Sequence, residues 1–394
     1  MKPLSSIILL LLLLETLVVN GDIPEEEYQA LRDLFSTHGE SWLLNSGWLT
    51  DTHVCYWHGI RCTQDWTHVK SIFLANNNLS GSIPSSIGAL SFLTGLDFSN
   101  SHLHGTLPSS FSSLANLAGL GLRFNQLEGD LSKPLRGLTK LKWVHLDFNR
   151  FTHGIEDLLK GCKELRVLGL TDNGMSGTLP RELSKLTTLQ NLGLGGNQLS
   201  GIVPALSSLT SLVSLDLSSN QLVGLVPWPL PPLLGELLLF DNGFSGTVPT
   251  PTKTGRDSLV IFDAHSNALS GSVPKMLASL PNLVILHLQE NALSQELPVE
   301  FENTSVCCVD VTHNYLMCPL PLGLYSSSSH SRVQASCGWW QLESISSRSA
   351  PTHHPGNLVC NSNEPDEFLQ SHSRVQPSVY FDPVPHIDQV TQSR

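Results

Sequence analysis

The sequence predicts an α/β repeat solenoid, a horseshoe or superhelix with a parallel β-sheet along its concave side. Eleven stretches between Asn77 and Asn314 share the pattern L-x-x-L-x-L-x-x-N-x-L-x-G-x-[I/L/V]-P. Their asparagine positions follow one another at steps of 24, 24, 24, 24, 24, 23, 22, 25, 24 and 23 residues. Because the phase holds, each turn should bury its leucines against its neighbours. The asparagine positions are Asn77, Ser101, Asn125, Asn149, Asn173, Asn197, Asn220, Asn242, Asn267, Asn291 and Asn314.

Each repeat carries the signals for one strand and one bend. In Leu189–Pro204, Leu192 and Leu194 alternate with small or polar residues, and a strand requires this period of two. Asn197 follows, and its amide can satisfy backbone groups that the bend leaves unpaired. The second repeat has Ser101 here, and its hydroxyl should do only part of that work. We interpret this ladder as structural.

A glycine–proline ending closes most repeats. Glycine permits unusual dihedrals and proline stops a helix, so G-x-[I/L/V]-P favours a tight turn. This ending resembles the plant-type leucine-rich repeat of receptor kinases, receptor-like proteins and polygalacturonase-inhibiting proteins, over residues 22–322. The resemblance implies a twisted right-handed leucine-rich-repeat solenoid with short second strands and helical turns on its other faces, and it says little about function. Examples are Gly81–Pro84, Gly105–Pro108, Gly177–Pro180, Gly224–Pro227, Gly246–Pro249 and Gly271–Pro274.

The segment before the first repeat resembles the N-terminal cap of the same family. Cys55 and Cys62 lie in C-Y-W-H-G-I-R-C, which matches C-x-W-x-G-[VI]-x-C at every fixed position. The resemblance implies a Cys55–Cys62 disulfide. Without a cap the first turn would expose its leucines, and Trp42, Trp48 and Trp57 can supply the apolar cover.

A helix is expected to begin this cap near Pro24 and to stop at Gly39. Residue spacing predicts one buried stripe along it. The stripe consists of Tyr28, Leu31, Leu34 and Phe35.

The chain's first residues predict a secretory signal peptide. Lys2 supplies a positive start, and Ile7–Leu14 is an uninterrupted apolar run. Glu15 interrupts the run before it reaches the length of a membrane span, and no later segment is apolar enough to span. The predicted segments are a signal peptide over 1–21, the cap over 22–66, about eleven repeats over 67–322, and a C-terminal cap remnant with a mostly disordered tail over 323–394.

Eight cysteines fit an oxidising compartment. Cys162 stands where the pattern wants leucine and is expected to be a small buried hydrophobe. The sequence around Cys318 resembles the family's C-terminal cap with altered spacing, and its partner is left open. The cysteines whose pairing stays open are Cys307, Cys308, Cys318, Cys337 and Cys360.

Composition and motifs exclude several function classes. With 22 basic and 34 acidic residues the net charge is −12, which argues against nucleic acids and anionic membranes as partners. The sequence carries no motif for nucleophilic, metal-dependent, phosphate-binding or dinucleotide chemistry, so no enzyme activity, cofactor or metal site is predicted. Sequons predict glycosylation at Asn78 and Asn303, consistent with export.

The repeat phase predicts that residues six, four and two positions before each asparagine face outward along the concave sheet. From Val167 to Ser218 these residues are small and often glycine, a centre that could admit a flat ligand or be uncommitted surface. Aromatic and charged side chains lie on both sides of this centre, as in recognition surfaces. The candidate ligand-binding residues are Phe73; an N-terminal flank of Arg123, Trp143, His145 and Asp147; and a C-terminal flank of Glu236, Phe240, Asp263, His265, His287 and Gln289.

One row of this face predicts a pKa shift. Asp263, His287 and Asp310 occupy the same position in three successive repeats. Parallel strands lie about 4.8 Å apart, so His287 should lie between two carboxylates with its pKa raised. A flat row of strands converges poorly on one point, which disfavours a metal site.

The sequence therefore predicts a secreted recognition protein of the cell wall or cell surface. Its concave face would bind an extracellular protein, a peptide or a cell-wall polysaccharide, in defence or in signalling. Resemblance to polygalacturonase-inhibiting proteins adds an inhibitor of a secreted cell-wall hydrolase as an alternative. Further alternatives are an anchorless receptor ectodomain acting with a membrane receptor partner, and a structural or adhesive matrix protein.

Overall fold

Stacked parallel strands run through the computed structural model and confirm the predicted leucine-rich-repeat solenoid. The structure describes residues 23–37, 39–153, 155, 160–250, 258–303, 306, 308–317 and 332–334. The predicted signal peptide and most of the predicted tail lie outside these residues. Leucines at the inward positions of successive turns form one continuous core, and most of them are completely buried.

The concave sheet has 13 strands and is built from one strand per turn. Only the first pair is antiparallel, and the others are parallel and in register at equivalent repeat positions. The strands are Ile60–Cys62, Val69–Phe73, Gly95–Asp97, Gly119–Gly121, Trp143–His145, Val167–Gly169, Asn191–Gly193, Ser214–Asp216, Glu236–Leu238, Ile261–Asp263, Ile285–His287, Cys308–Asp310 and Arg332–Gln334. The last strand extends the sheet past residue 322, where the sequence showed no further repeat.

Shorter second strands form two further parallel sheets, of four and seven strands. The four-stranded sheet contains Ser80–Gly81, His102–Thr106, Gln126–Asp130 and Arg150–Thr152. The seven-stranded sheet contains Ser176–Thr178, Gln198–Ile202, Gln221–Gly224, Gly243–Thr247, Ala268–Gly271, Ala292–Glu296 and Tyr315–Met317. Among the described residues, the isolated bridge from Thr152 to Gly174 joins them. The repeat after Asn149, where the two sheets meet, lacks the glycine–proline ending.

Short 3-10 turns follow the prolines that close the repeats. Proline fixes its own φ and lacks a backbone donor, so it stands naturally before a helical turn. These turns are Ser85–Ala89, Ser109–Ser113, Arg181–Lys185, Lys275–Ser279 and Val299–Asn303, and the cap adds Gly39–Ser41 and Val54–Tyr56.

The predicted asparagine ladder is confirmed bond by bond. The Asn149 amide nitrogen donates to the carbonyls of Leu122 at 2.9 Å, Leu146 at 3.0 Å and Asp147 at 3.2 Å. Its Oδ1 accepts from the Leu127 amide at 3.0 Å. One side chain thus ties its own bend to two preceding positions of the solenoid.

The ladder also explains a regular backbone feature. The residue immediately before every asparagine position has a positive φ, between 48° and 64°. Only Gly196 among them is a glycine, so the conformation is unfavourable at the other ten positions. The side-chain bonds of the following residue hold the backbone there. Ser101 makes fewer of these bonds, as predicted. Its hydroxyl accepts from the Leu79 amide at 3.3 Å, but a serine has no side-chain amide to donate to the carbonyls of the bend.

The first ladder residue joins the repeats to the cap. Asn77 accepts from the Leu44 amide at 2.6 Å and donates to the Leu44 carbonyl at 2.8 Å. Trp42, Trp48 and Trp57 are buried between the cap and the first turn, as predicted.

The predicted Cys55–Cys62 disulfide is present and closes this cap. The cap helix spans Glu25–Ser36, directly after Pro24. It ends before Gly39, which instead begins a 3-10 turn, so the predicted stop is wrong by three residues. Leu31 and Leu34 are buried as predicted, with Tyr28 and Phe35 packed at the edge of the core.

Glu27 is a buried cap residue that sequence analysis missed. It is 2% exposed and accepts from the Val69 amide at 2.8 Å, while its other oxygen lies 2.7 Å from His68 Nδ1. A carboxylate can be buried here because both of its oxygens have hydrogen-bonding partners. It fixes the helix to the first strand of the repeat array.

Candidate functional site

The strand phase assigned from the asparagines is confirmed. Val144 and Leu146 are completely buried, while Trp143, His145 and Asp147 alternate with them and lie on the concave side. The same alternation orders every concave strand, so the two flanks occupy neighbouring strands of one surface. Four strand steps separate Trp143 from Glu236, a distance of about 19 Å. Phe73 lies apart from both flanks, with the Arg61 guanidinium 5.3 Å from its ring centre.

The N-terminal flank combines a half-buried indole with an imidazole held neutral. Trp143 is half-buried between the neighbouring strands rather than fully exposed. His145 is 5% exposed, and burial, with help from the charge of Arg123, lowers its pKa to about 4. His145 is therefore an uncharged ring at physiological pH. Arg123 supplies the positive charge of this flank.

Carboxylates from neighbouring strands cover the glycine centre. A Cβ on Gly169 would overlap the Asp147 carboxylate, and one on Gly195 would overlap the carboxylate of Asp216. The space over these glycines is thus filled from within the protein. A flat ligand therefore cannot lie directly on the backbone of these two glycines, while the interpretation of the centre as uncommitted surface stays open.

Both covering carboxylates are perturbed. Asp147 accepts from the Thr171 amide at 3.0 Å, and Asp216 accepts from the Ser218 amide at 2.9 Å and the Ser218 hydroxyl at 2.6 Å. Burial raises the pKa of each to about 6, against the lowering effect of these bonds. The centre of the face therefore carries less negative charge than its sequence indicates, especially in weak acid.

A shared local role explains several aspartates. Asp97, Asp216, Asp263 and Asp310 each lie four residues before an asparagine position. Each accepts from the backbone amide two residues further along. This contact orders the strand end, so an aspartate here is structural before it is functional.

The C-terminal flank is a connected network. The rings of Phe240 and His265 stack with centres 4.7 Å apart and planes 10° apart. His265 Nδ1 lies 2.6 Å from one oxygen of Asp263, and His287 Nδ1 lies 3.1 Å from the other. Hydrogen bonds to the two histidines outweigh the effect of burial and lower the pKa of Asp263. A carboxylate thus fixes both imidazoles and, through one of them, an aromatic stack.

The pKa of His287 is raised, as predicted, but the groups that raise it are Asp263 and Cys308 rather than the predicted pair of Asp263 and Asp310. Burial alone would lower it, but hydrogen bonds and charges at Asp263 and Cys308 raise it to about 10. Sequence analysis missed the thiol: His287 Nε2 lies 3.6 Å from Cys308 Sγ. The Asp310 carboxylate accepts from the amide and the hydroxyl of Thr312, at 2.9 Å and 2.7 Å.

The remaining candidates are less connected. Glu236 accepts from the Ser214 hydroxyl at 2.7 Å. The Gln289 side-chain oxygen is buried and has no hydrogen-bonding partner among the described atoms. The Asn78 amide donates to the Ser41 carbonyl at 3.1 Å, so this sequon also braces the cap. Asn303 ends a 3-10 turn, and the next two residues of its sequon lie outside the described residues.

Two cysteine expectations have clear outcomes. Cys162 is 1% exposed, as predicted for a small buried hydrophobe. Cys308 is a free thiol, so it is not the disulfide partner of Cys318 in this structure. Cys307, Cys318, Cys337 and Cys360 lie outside the described residues.

Sequence analysis also missed a phenylalanine pair, Phe124 and Phe148. Their rings stack beside the N-terminal flank with centres 4.4 Å apart.

Within the described part of the chain, no group of three or more histidine, cysteine, aspartate or glutamate side chains could hold a metal ion. A membrane-spanning helix is likewise missing from the described residues.

Comparison with known proteins supports the repeat assignment. The leucine rich repeat family matches residues 139–199, and a second leucine rich repeat description matches residues 68–90, 92–114 and 211–233. An Arabidopsis thaliana protein described as a probably inactive leucine-rich repeat receptor-like protein kinase is 49% identical over 57 residues, which is 14% of this chain and 6% of that protein.

Solved structures extend the similarity to most of the chain. The ectodomain of the plant membrane receptor kinase GASSHO1/SCHENGEN3 from Arabidopsis thaliana, solved with CASPARIAN STRIP INTEGRITY FACTOR 2, is 29% identical with a TM-score of 0.64, covering 71% of this chain and 34% of that one. The ectodomain of the Arabidopsis receptor kinase HAESA, solved with an IDA peptide hormone ligand that is extended at its N-terminus, is 30% identical with a TM-score of 0.60, covering 79% of this chain and 56% of that one. The chain thus spans about a third and about half of these two ectodomains.

Proposed function

We propose that this chain, which is a plant-type leucine-rich-repeat protein, binds an extended peptide or protein segment through its concave face. Its kinship with receptor ectodomains indicates an extracellular or cell-surface location. One similar ectodomain was solved with CASPARIAN STRIP INTEGRITY FACTOR 2 and another with a peptide hormone, and the second supports a peptide as the class of ligand.

The observation that carries the proposal is the preorganised C-terminal flank. Phe240 stacks on His265, and Asp263 holds His265 and His287 by separate oxygens. Side chains already fixed in place lose little conformational entropy when a ligand binds. The stack offers an apolar ring surface, and His265 offers its second ring nitrogen for a hydrogen bond, because Asp263 engages only Nδ1. This suits a peptide with an aromatic or aliphatic residue beside a polar group.

The N-terminal flank supplies a second anchor. Trp143 is half-buried, so its ring is positioned by packing and still presents a face to the concave side. Arg123 adds a cation that could meet a ligand carboxylate. A linear peptide rises about 3.3 Å per residue, so about six residues cross the ~19 Å between the flanks.

The test is selection from a library of linear peptides of about twelve residues, long enough for both flanks, against the full chain. Enriched peptides are then measured against Trp143→Ala and Phe240→Ala. Each variant should weaken binding by about 30-fold, equivalent to about 2 kcal/mol.

Tyr315→Ala is the matched control, because Tyr315 is an aromatic residue, 63% exposed, that lies outside the concave sheet, on the seven-stranded sheet of second strands. It should bind the selected peptides like the wild type. Selected peptides that ignore both flank variants, or that lose affinity equally with Tyr315→Ala, would overturn the proposal. The narrower hypotheses, hydrolase inhibition, receptor signalling and a matrix role, require partners that this selection does not address.

A further inference from the structure

A row of three side chains crosses the C-terminal flank and ends at a thiol. His287 Nδ1 lies 3.1 Å from Asp263 Oδ2, and His287 Nε2 lies 3.6 Å from Cys308 Sγ. Cys308 is free and half-exposed on the concave side. A carboxylate that orients an imidazole, beside a thiol that the imidazole contacts, is the arrangement that activates a cysteine as a nucleophile.

The surroundings keep the imidazole charged. The contacts with Asp263 and Cys308 that raise the pKa of His287 leave the ring protonated at neutral pH. The protonated ring lies beside the Cys308 sulfur, where it can supply the proton that a departing thiolate takes up. Arg332 lies in register with Cys308 on the following strand. The titratable residues on the adjacent strands are Asp263 with His265 on one side, and Cys308 with Asp310 on the other.

The backbone of Cys308 indicates which chemistry this thiol can perform. Its amide donates to the Val284 carbonyl at 3.0 Å in the sheet ladder. That amide is therefore committed to the sheet and is not available as an oxyanion donor, a role that the backbone amide of the nucleophile often has in acyl transfer. Attack on a disulfide has no such requirement, because the departing sulfur carries the charge.

Cys162 provides a contrast inside the same chain. It is 1% exposed, its thiol lies 3.4 Å from the Leu138 carbonyl, and burial raises its pKa to about 11. A thiol in that environment stays protonated and out of reach of reagents. The two cysteines should therefore differ strongly in reactivity.

We propose that Cys308 is a thiol-exchange site that small-molecule disulfides modify from the concave face. The Cys308 thiolate attacks one sulfur of the disulfide, a new S–S bond forms, and the original S–S bond breaks. The departing thiolate takes a proton from the His287 imidazolium or from water. Cys308 is oxidised to a mixed disulfide, and the small-molecule disulfide, which is the oxidant, is reduced to one bound and one free thiol. This step does not depend on peptide binding.

The experiment treats the folded full chain with oxidised glutathione and locates the adduct by tandem mass spectrometry. The adduct should form on Cys308 and not on Cys162. At about pH 6 the rate for His287→Gln should be at least about tenfold below wild type, because the variant has no cation beside the thiol. The difference in rate between the wild type and His287→Gln should become smaller at about pH 9, where hydroxide deprotonates the attacking thiol in both proteins. A purely structural role for His287 would not produce this change of the rate ratio with pH.

Two variants serve as controls. Cys162→Ser should react like the wild type, and Cys308→Ser should lose the adduct while its circular dichroism is unchanged. If Cys308→Ser does not fold, the adduct map of the wild type and the His287→Gln rates decide the matter. An adduct found on Cys307 in place of Cys308, no adduct on Cys308, or equal rates for wild type and His287→Gln at about pH 6 would each overturn the proposal.

Discussion

Burial shifts the pKa values of three side chains on the concave face, and each shift favours the neutral form of the side chain. It raises the pKa of Asp147 and Asp216 and lowers that of His145. Between pH 3.8 and about 6 the folded protein keeps protons on Asp147 and Asp216 that the unfolded chain releases. The contribution of these two groups to the free energy of unfolding therefore falls as pH rises through this range. Between pH 6.5 and about 4 the unfolded chain takes up a proton that folded His145 does not, so stability is lost as pH falls. Because the two effects oppose each other over overlapping ranges, single variants are needed to reveal either one.

Asp216→Asn should raise the free energy of unfolding at pH 7, by on the order of 2 kcal/mol. The amide removes a buried charge while its oxygen can still accept from Ser218. Chemical denaturation at pH 7 and near pH 4 measures the effect, and the gain should shrink in acid as the aspartate becomes protonated.

Asp263→Asn is the matched variant, and it should change the free energy of unfolding at pH 7 in the opposite direction to Asp216→Asn. It occupies the same repeat position, but its histidine partners lower its pKa. Its stabilising contribution is present above the unfolded pKa and is lost as pH falls through the lower folded pKa. The variant should therefore be less stable than the wild type at pH 7. Two variants shifting stability in the same direction at pH 7 would contradict this account of the buried aspartates.

At the scale of the repeat element, the sequence predicted most of the structure. An asparagine every 22 to 25 residues fixed the strand phase, because one residue of slip would turn every leucine out of the core. What local pattern could not predict depends on the neighbouring turn. The Asp216 carboxylate over Gly195 and the thiol of Cys308 beside His287 are contacts between strands more than 20 residues apart. The strand Arg332–Gln334 was missed because the leucine pattern does not continue there.

Removing the side chain of a ladder asparagine should destabilise the solenoid more than removing that of Ser101, which occupies the asparagine position in the second repeat. Asn149→Ala leaves three carbonyls and the Leu127 amide without this partner in a buried bend. The three carbonyls keep second donors at Asn125, Asn173 and Phe124, so the cost is that of four lost hydrogen bonds, at about 0.5–1.5 kcal/mol each, with the Leu127 amide left unsatisfied. We expect a loss of about 3 kcal/mol or more. Ser101→Ala removes one accepted bond and should cost about 1 kcal/mol. Urea unfolding compares the two, and equal losses would show that the ladder's donors contribute little.

The cap is the element whose loss exposes the core. Cys55→Ser removes the Cys55–Cys62 disulfide and should cost about 2–5 kcal/mol. The melting temperature and the secreted yield should both fall, because the cap tryptophans then cover the first turn less firmly. Cys162→Ser serves as the comparison, since it changes a buried thiol without touching a disulfide. A Cys55→Ser protein with wild-type melting would show that packing alone holds the cap.

At the scale of the whole molecule, the concave sheet divides into two flanks across a carboxylate-covered centre. Sequence analysis assigned the flank residues to the concave side correctly, because strand alternation alone decides which side chains face outward. It could not find their connections, since the Phe240–His265 stack and the shared Asp263 carboxylate depend on side-chain rotamers. The ~19 Å between Trp143 and Glu236 is the dimension that a ligand using both flanks must match.

A selected peptide that contacts both flanks should be divisible into halves with separate sensitivities. The half that contacts the N-terminal flank should lose affinity with Trp143→Ala and be indifferent to Phe240→Ala, and the other half should behave in reverse. Distant, independent contacts contribute additively, so the double variant should weaken the intact peptide by about the product of the two single losses. Isothermal titration of the intact peptide and both halves provides the measurement. If both variants weaken the same half, that half depends on both flanks, and the division of the face into two separate anchors is wrong.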